Sequence, residues 1–253
     1  MTAEPRVPPG YVLHAFDRVG STNDEARRLA EQGAAGGAVV VANEQLKGRG
    51  RYGRVWQSPP GNLYTSLLLR PDCTVARSAQ LSLVASVALA EALIALAPPD
   101  ADVRVKWPND VLVRGGKVAG LLLESATGAG EQVAWVVIGS GVNIASAPEE
   151  TPYPATALGY QGFPPVAPLD LLARYLGALE GWLGRWREGG FAAVRPAWLA
   201  LGCAIGDRIR LRLVGEELTG RFLDVTEQGA LLVGQDGDRR RQITAGELIY
   251  PAG

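Results

Sequence analysis

The chain has 253 residues, of which 47% are hydrophobic and 20% are charged, and its 25 basic and 26 acidic residues give a net charge of −1. This composition fits one large domain or a large domain with a small one. It excludes global disorder and offers no overall positive field for non-specific nucleic-acid binding. One histidine (His14) and two cysteines (Cys73 and Cys203) are too few ligands for the usual zinc sites, although carboxylate-bound Mg²⁺ is not excluded.

The N-terminal part of the chain combines short strands with a capped helix. Ser21 and Asp24 have the Ser-x-x-Asp spacing of a capping box, which predicts a helix from Ser21 to about Gln32 that Gly33 ends. Apolar runs predict strands, and a polar stretch with four glycines predicts a loop. These strands cover residues 11–16, 38–42 and 63–69, and the loop covers residues 43–61.

The most apolar window, residues 79–97, contains Gln80, Ser82 and Glu91, so we predict a buried helix rather than a membrane span. The first ten residues carry no apolar signal segment. Two cysteines far apart in the chain indicate no disulfide framework, which fits a reducing compartment. We therefore expect a soluble, cytoplasmic protein.

The sequence pattern in the middle of the chain predicts consecutive strands with few helices between them. Strands are predicted at residues 103–107, 111–113, 117–124 and 133–144. Strands that follow one another closely pair as hairpins. This predicts an α+β domain with a mixed β-sheet flanked by helices, not a doubly wound parallel sheet.

A proline-rich surface loop at residues 148–168 leads to predicted helices at residues 169–187 and 191–201. After Gly202 the sequence pattern changes from helical to strand-like. Short strands joined by glycine-containing turns follow, at residues 205–213, 218–226, 230–233 and 242–249. We predict a domain of residues 1–203 and a small β-barrel domain of residues 204–253.

One candidate functional segment is residues 45–56, of which residues 47–56 are here called the basic loop. Residues 43–57 contain four positive charges against Glu44, a net charge of +3. The positive residues are Lys47, Arg49, Arg51 and Arg54. Guanidinium groups suit carboxylate and phosphate oxygens, and the interleaved glycines let the backbone approach a ligand. The segment is not a Walker A loop, because no Gly-Lys-Ser/Thr follows, and a solvated basic loop is the plainer alternative.

Two further segments carry polar groups at strand ends. Lys106 and Asp110 belong to the string Lys-Trp-Pro-Asn-Asp, and Lys117 begins the returning strand of the predicted hairpin. The hairpin therefore brings Lys106, Asp110 and Lys117 to one end of the sheet, where they form a site or a plain ion pair. In residues 139–144 two glycines permit close ligand approach, and Asn143 offers a donor and an acceptor.

Taken in order with Ser21, Thr22 and Asn23, these segments resemble the biotin protein ligase family, in its monofunctional type without an N-terminal DNA-binding domain. The resemblance covers nearly the whole chain from about residue 11. It implies a class II synthetase-like catalytic domain with a mixed sheet and a C-terminal SH3-like β-barrel.

The resemblance also implies roles for individual residues. The biotin site would comprise Ser21, Thr22, Asn23, Gln45, Arg49, Gly50, Arg51, Lys117 and Gly120. The first four match segments that hold the ureido ring, whose oxygen needs donors and whose N–H groups need acceptors. The ATP site would comprise Arg49, Arg51, Arg54, Trp56, Lys117 and Asn143. The implied catalytic residues are Lys117, Arg51 and Asp110, the last orienting its neighbours or accepting a proton from the attacking lysine.

The activity implied by the resemblance is ATP-dependent formation of biotinyl-5′-AMP, followed by transfer of biotin to a lysine of a biotin carboxyl carrier protein. Biotin, ATP and Mg²⁺ would be required, without a protein-bound metal cluster. Some relatives dimerise, so a homodimer is an option, whereas no membrane partner is expected.

Three alternatives are kept. They are lipoate or octanoyl transfer on a related fold, a non-catalytic biotin-binding module, and a biotin-sensing repressor. Only about ten residues precede the first predicted strand, too few for a helix-turn-helix domain, so we expect no DNA partner. Arg239, Arg240 and Arg241 lie near Asp236 and Asp238 and are interpreted as a solvated face.

Overall fold

The chain folds around two β-sheets. The structure is a computed structural model that describes residues 7–151, 153–237 and 239–249. The larger sheet has the order β1-β2-β3-β7-β6-β5-β4. Its strands are β1 (Val12–Val19), β2 (Ala38–Gln45), β3 (Leu63–Leu69), β4 (Val103–Lys106), β5 (Asp110–Val113), β6 (Gly116–Thr127) and β7 (Val133–Val142).

Pairing within this sheet is mixed. Strands β1 and β2 are parallel, and every other neighbouring pair is antiparallel. The hairpins predicted from closely spaced strands are present as β4–β5, β5–β6 and β6–β7. Strand β2 continues three residues beyond the predicted end, so Gln45 belongs to the sheet and not to the loop.

Helices cover both faces of the larger sheet. Helix α1 (Thr22–Glu31) packs through Ala26 and Ala30 against Val40, Leu68 and Val137. The neighbours of these strand residues in the chain point to the opposite face, because side chains alternate along a strand. That face is covered by α2 (Val75–Ser78), α3 (Leu81–Ile94), α4 (Pro168–Gly189) and α5 (Arg195–Leu201).

The predicted apolar helix is a core helix. In the described part of the chain, residues 75–94 form one helical stretch long and apolar enough to cross a membrane, but 67% of its most apolar window is buried inside the protein. Its polar residues have partners on α4: Trp182 Nε1 donates to Glu91 and Trp186 Nε1 donates to Gln80, at 2.7 and 2.8 Å.

The capping box predicted at Ser21 is not formed. Ser21 is the N-cap residue, with φ −154° and ψ 137°, but its side chain makes no capping hydrogen bond. The carboxylate of Asp24 binds Arg49 and Arg27 instead, since two guanidinium groups lie within its reach. The predicted helix boundary is nevertheless correct to within one residue.

The smaller sheet, here called the C-terminal sheet, is antiparallel with the order β11-β10-β9-β8-β12. Its strands are β8 (Arg208–Arg212), β9 (Glu217–Val225), β10 (Leu231–Gly234), β11 (Arg240–Ile243) and β12 (Glu247–Ile249). The single strand predicted at residues 242–249 was wrong. Strand β11 pairs with β10 whereas β12 pairs with β8, so the chain must bend between them.

Other boundaries differ in a similar way. The helix predicted at residues 191–201 is a 3₁₀ turn, Phe191–Ala193, followed by α5. The first C-terminal strand begins at Arg208 and not at residue 205, because Gly206 adopts a left-handed φ of 88° in a turn. The domain boundary between residues 203 and 204 stays a prediction.

Candidate active site

A buried polar cluster joins the start of α1 to β2 and β3. The backbone N–H and the hydroxyl of Thr22 both donate to Gln45 Oε1, at 2.8 and 3.0 Å. Ser66 Oγ lies 2.8 Å from Thr22 Oγ1 and 2.6 Å from Asn23 Oδ1. Ser21 lies next to them and is also buried. The cluster therefore contains both hydrogen-bond donors and hydrogen-bond acceptors.

Beside this cluster, β6 and β7 lack side chains at Gly120, Gly139 and Gly141, here called the glycine floor. Gly120 and Gly141 are register partners, and Gly139 lies two residues before Gly141 on the same face. A Cβ atom at Gly139 would lie 2.1 Å from Asn23 Oδ1, and one at Gly141 would lie 2.5 Å from the indole of Trp56. At both positions any larger residue would force the facing side chain to move.

Trp56 lies over the glycine floor at the end of the basic loop. Its ring centroid is 5.4 Å from Lys117 Nζ, and its buried Nε1 has no hydrogen-bond partner among the described residues. The indole thus forms a wall between the floor and the loop, with a donor free for a ligand.

At the other end of the floor, Asp110 lies between two lysines. Its carboxylate is 3.0 Å from Lys106 Nζ and 2.6 Å from Lys117 Nζ, as the predicted hairpin requires. Burial alone would raise the pKa of Asp110, but the two ammonium groups outweigh burial and hold this pKa below its usual value of 3.8. The Lys106 side chain is 4% exposed, whereas that of Lys117 is 26% exposed and is the one open to a ligand.

Arg49 fastens the basic loop to the walls of the site. Its guanidinium donates to both carboxylate oxygens of Asp24, at 2.8 and 2.7 Å, and to Glu124 on β6 at 3.1 Å. The hydrogen bonds from Arg49 lower the pKa of Asp24. The backbone N–H of the neighbouring Gly50 donates to Arg54 O at 2.7 Å, which closes the loop.

The structure places Arg51 and Arg54 against the C-terminal sheet. Arg51 Nη1 donates to Gly246 O at 2.8 Å, and both Nη atoms of Arg54 bind the carboxylate of Glu247. The hydrogen bonds from Arg54 lower the pKa of Glu247. Of the three arginines predicted to bind ligand, one therefore contacts the walls of the site and two contact the C-terminal sheet.

Asn143 follows β7 directly and is buried. Its Nδ2 donates to Thr156 O at 3.1 Å, and its backbone N–H donates to Val118 O at 2.8 Å. The same loop is joined to Lys117, whose N–H donates to Pro154 O. Asn143 thus lies close to Lys117 along the sheet, with its amide engaged by the loop.

Sequence reasoning missed three residues that shape this site: Ser58, Ser66 and Glu247. Ser58 accepts from Gln45 Nε2 at 3.0 Å. A polar residue such as Ser66 inside a fully buried strand was a usable signal, because buried hydroxyls require partners. No local sequence pattern indicated Glu247, because its partner Arg54 lies 193 residues away in the chain. Among the described residues there is no group of three or more His, Cys, Asp or Glu able to hold a metal ion.

Comparison with known proteins places these features in a family. The model of the "Biotin/lipoate A/B protein ligase family" matches residues 15–143, and that of the "Biotin protein ligase C terminal domain" matches residues 204–249. The chain is 43% identical to the biotin–[acetyl-CoA-carboxylase] ligase of Paracoccus denitrificans, over 92% of this chain and 98% of that protein. It is 34% identical to the ligase of the same name from Mycobacterium tuberculosis, over 94% and 88% of the two chains.

Solved structures of biotin protein ligases have a fold similar to that of this chain. A biotin protein ligase from Aquifex aeolicus in complex with biotin and ATP matches with a TM-score of 0.77 and 29% identity, covering 94% of this chain and 97% of that one. The Leishmania major enzyme in complex with biotinyl-5-AMP matches with a TM-score of 0.64 and 27% identity, over 94% and 100% of the two chains. These similarities confirm the predicted mixed sheet with flanking helices and the small C-terminal β-domain.

Proposed function

Because the chain belongs to the biotin/lipoate A/B protein ligase family, we propose that it activates biotin with ATP as biotinyl-5′-AMP and transfers the biotinyl group to a lysine of a biotin carboxyl carrier protein. The observation that carries this proposal is the glycine floor, bounded at one end by the polar cluster of Thr22, Asn23 and Gln45 and at the other by Lys117. A ligand that takes the place of the Trp56 indole over the floor would reach both ends.

The polar cluster suits the ureido ring of biotin. A urea has one strong acceptor and two N–H donors, and the cluster offers hydroxyl and amide groups that supply both complements. This chemistry favours biotin over lipoate, because the dithiolane ring of lipoate has no comparable hydrogen-bonding groups. Within the proposed site, Thr22, Asn23 and Gln45 therefore select the vitamin, with Ser66 holding two of them in place.

In the first half-reaction, a carboxylate oxygen of biotin attacks the α-phosphorus of ATP and the bond to the β-phosphate oxygen breaks, releasing pyrophosphate. Both reactants are anions, so approach requires cations. Lys117 has three N–H donors and gives one to Asp110, which leaves two for the biotin carboxylate and the α-phosphate. Arg51 of the basic loop supplies further positive charge, and Arg49 and Arg54 add theirs when the ligand replaces their carboxylate partners Asp24, Glu124 and Glu247. Trp56 and Asn143 border the nucleotide. Mg²⁺ belongs to the substrate, MgATP.

In the second half-reaction, the amine of a carrier lysine attacks the acyl carbon of the mixed anhydride and AMP leaves. Two lysines lower the pKa of Asp110, so its carboxylate is a weak base. This favours an orienting role, in which Asp110 holds Lys117, over the role of proton acceptor. Closure of the basic loop over the adenylate would exclude water and protect the anhydride from hydrolysis.

A labelling assay tests the proposed function. Purified protein is incubated with ATP and labelled biotin or labelled lipoate, together with a biotin carboxyl carrier domain or its variant lacking the acceptor lysine. We expect ATP-dependent incorporation of biotin into the intact carrier only, with release of pyrophosphate. Incorporation of lipoate instead would assign the sister activity, and biotin binding without pyrophosphate release would indicate a non-catalytic module.

The remaining expectations stay proposals. Cys73 and Cys203 are free thiols, which suits a reducing cytoplasm. We also propose that the chain binds neither DNA nor membrane, and a homodimer stays an option. The predicted cluster at residues 239–241 is exposed in part, with Arg241 paired to Glu216, while Asp238 lies outside the described residues.

A further inference from the structure

The outer face of the C-terminal sheet carries four arginines that lie side by side: Arg208, Arg210, Arg221 and Arg240, here called the arginine face. In β8 the arginines alternate with the buried Ile209 and Leu211, so they point outward. Arg208 is the register partner of Arg221, and Arg221 and Arg240 flank Gly234 on β10 from either side. All four are exposed.

These four guanidinium groups have no carboxylate partner in the part of the chain that the structure describes. Within residues 7–151, 153–237 and 239–249 none of the four forms an ion pair, although Arg221 donates to the backbone oxygen of Gly206. Other arginines of the same sheet are neutralised: Arg212 pairs with Glu217 and Glu247, and Arg241 pairs with Glu216. The unpaired charge is therefore concentrated on one face.

This face leads away from the active site. Arg212, at the near end of β8, is the register partner of Glu247, whose carboxylate holds Arg54 of the basic loop. Arg210 and Arg208 follow along β8 at two-residue steps of about 6.8 Å each. A folded domain that brings a lysine to the basic loop therefore lies within reach of the arginine face.

We propose that the arginine face docks an acidic surface of the carrier protein while the carrier lysine enters the active site. The inference rests on the proposed function and adds the chemistry of its partner. Arginine forks pair with carboxylates, and exposed charges of opposite sign accelerate and orient association. A nucleic acid fits less well, because the face holds only four free cations, with the neutral Thr219 opposite Arg210, on a chain of net charge −1.

The test is the double charge reversal Arg208→Glu/Arg210→Glu, with a biotin carboxyl carrier domain as the probe. We expect KM for the carrier to rise about tenfold, while kcat at saturating carrier changes little. Added salt should raise KM of the wild type and narrow the difference from the variant. Hydroxylamine attacks biotinyl-AMP and gives biotinyl hydroxamate and AMP. The variant should form labelled hydroxamate at the wild-type rate, because hydroxylamine does not need to bind the arginine face.

Two matched variants serve as controls. Arg208→Lys/Arg210→Lys keeps the charge and should keep KM near the wild-type value. Arg174→Glu/Arg185→Glu makes the same change of net charge on exposed positions of α4, which covers the face of the larger sheet opposite the glycine floor, and should leave KM unchanged.

Three results overturn the proposal. They are an unchanged KM in Arg208→Glu/Arg210→Glu, an equal rise of KM in Arg174→Glu/Arg185→Glu, or retention of duplex DNA by the arginine face at physiological salt with an unchanged KM for the carrier. Absence of hydroxamate in the wild type is a different result, which would refute the proposed function and not the docking surface.

Discussion

At the scale of single residues, the informative group is the carboxylate of Asp110 between Lys106 and Lys117. Burying an ammonium group is costly unless it is paired, and Lys106 is almost fully buried. Asp110 compensates that cost and at the same time holds Lys117 at the edge of the glycine floor. One carboxylate therefore serves both stability and the site.

Replacing Asp110 with Asn should lower the free energy of unfolding by about 3–5 kcal/mol at pH 7, because Lys106 stays buried without a counter-ion. The folded-state pKa of Asp110 lies below 3.8, so its contribution is fully present above that pH and is lost as pH falls through the lower folded-state value. Urea unfolding over a pH series should show the difference between the two proteins narrowing in acid. A difference that is independent of pH would contradict this account.

Lys117 differs from Lys106 in being open to a ligand. We expect Lys117→Ala to lower the rate of ATP-dependent pyrophosphate release by about 100-fold or more, because the cation facing both anionic reactants is lost. Stability should change little, since Lys106 still pairs with Asp110. Arg174→Ala, which removes an exposed cation from α4, is the control, and pyrophosphate release at the wild-type rate in Lys117→Ala would remove this residue from the site.

At the scale of elements, the site depends on how closely the basic loop approaches β6 and β7. Two adjacent strands lack side chains at the register pair Gly120 and Gly141, and the Trp56 indole rests on them. Arg49 holds one end of the loop to α1, and Arg54 holds the other to the C-terminal sheet. The loop is thus attached at both ends and positioned over bare backbone.

Gly141→Ala should displace Trp56, because the added Cβ would lie 2.5 Å from its indole nitrogen. We expect weaker binding of biotin and ATP by titration calorimetry, with a change in tryptophan fluorescence. Gly181→Ala on α4 is the matched control: its Cβ meets nothing within 4 Å, and alanine there should stabilise the helix by about 0.5–1 kcal/mol. Equal ligand affinity in the two variants would show that Trp56 accommodates the methyl group.

Arg51→Gly should weaken the retention of biotinyl-AMP beneath the basic loop. The arginine joins the loop to Gly246 O, and its loss removes both this contact and a cation over the proposed adenylate. We expect faster release of biotinyl-AMP into solution and slower labelling of the carrier, measured by quantifying free adenylate over time. If both quantities match the wild type, the assignment of the loop is wrong.

At the scale of the whole molecule, the larger sheet and the C-terminal sheet share one continuous apolar core. Trp198 of α5 packs against Phe222 of β9, with ring centroids 6.5 Å apart. Trp107 Nε1 donates to Gly229 O, and Arg195 donates to Val225 O. These contacts keep Gly246 and Glu247 beside the basic loop.

Phe222→Ala should destabilise the whole chain and not only the C-terminal sheet. Removing a fully buried aromatic ring costs about 3–5 kcal/mol, and the shared core should transmit the loss to both sheets. Calorimetry should show a single unfolding transition that moves to lower temperature as a unit. Two transitions, of which only one moves, would show that the sheets unfold independently.

Local spacing in the sequence determined much of this protein. The closely spaced strands of residues 103–144 predicted the hairpins of the mixed sheet, and the hairpin between Asp110 and Lys117 predicted the lysine–aspartate cluster. The apolar run at residues 79–97 predicted a buried helix, which is present as α3. Each of these depends on residues that are near one another in the chain, where periodicity and turn residues limit the conformations.

Tertiary structure alone decided the rest. It placed Ser66 of β3 against Thr22 and Asn23, broke the predicted last strand in two, and brought Glu247 to Arg54 across 193 residues. It also assigned Asp24 to Arg49 in place of the predicted cap. Such pairings depend on which apolar faces are buried together, and burial acts between elements without regard to their distance in the sequence.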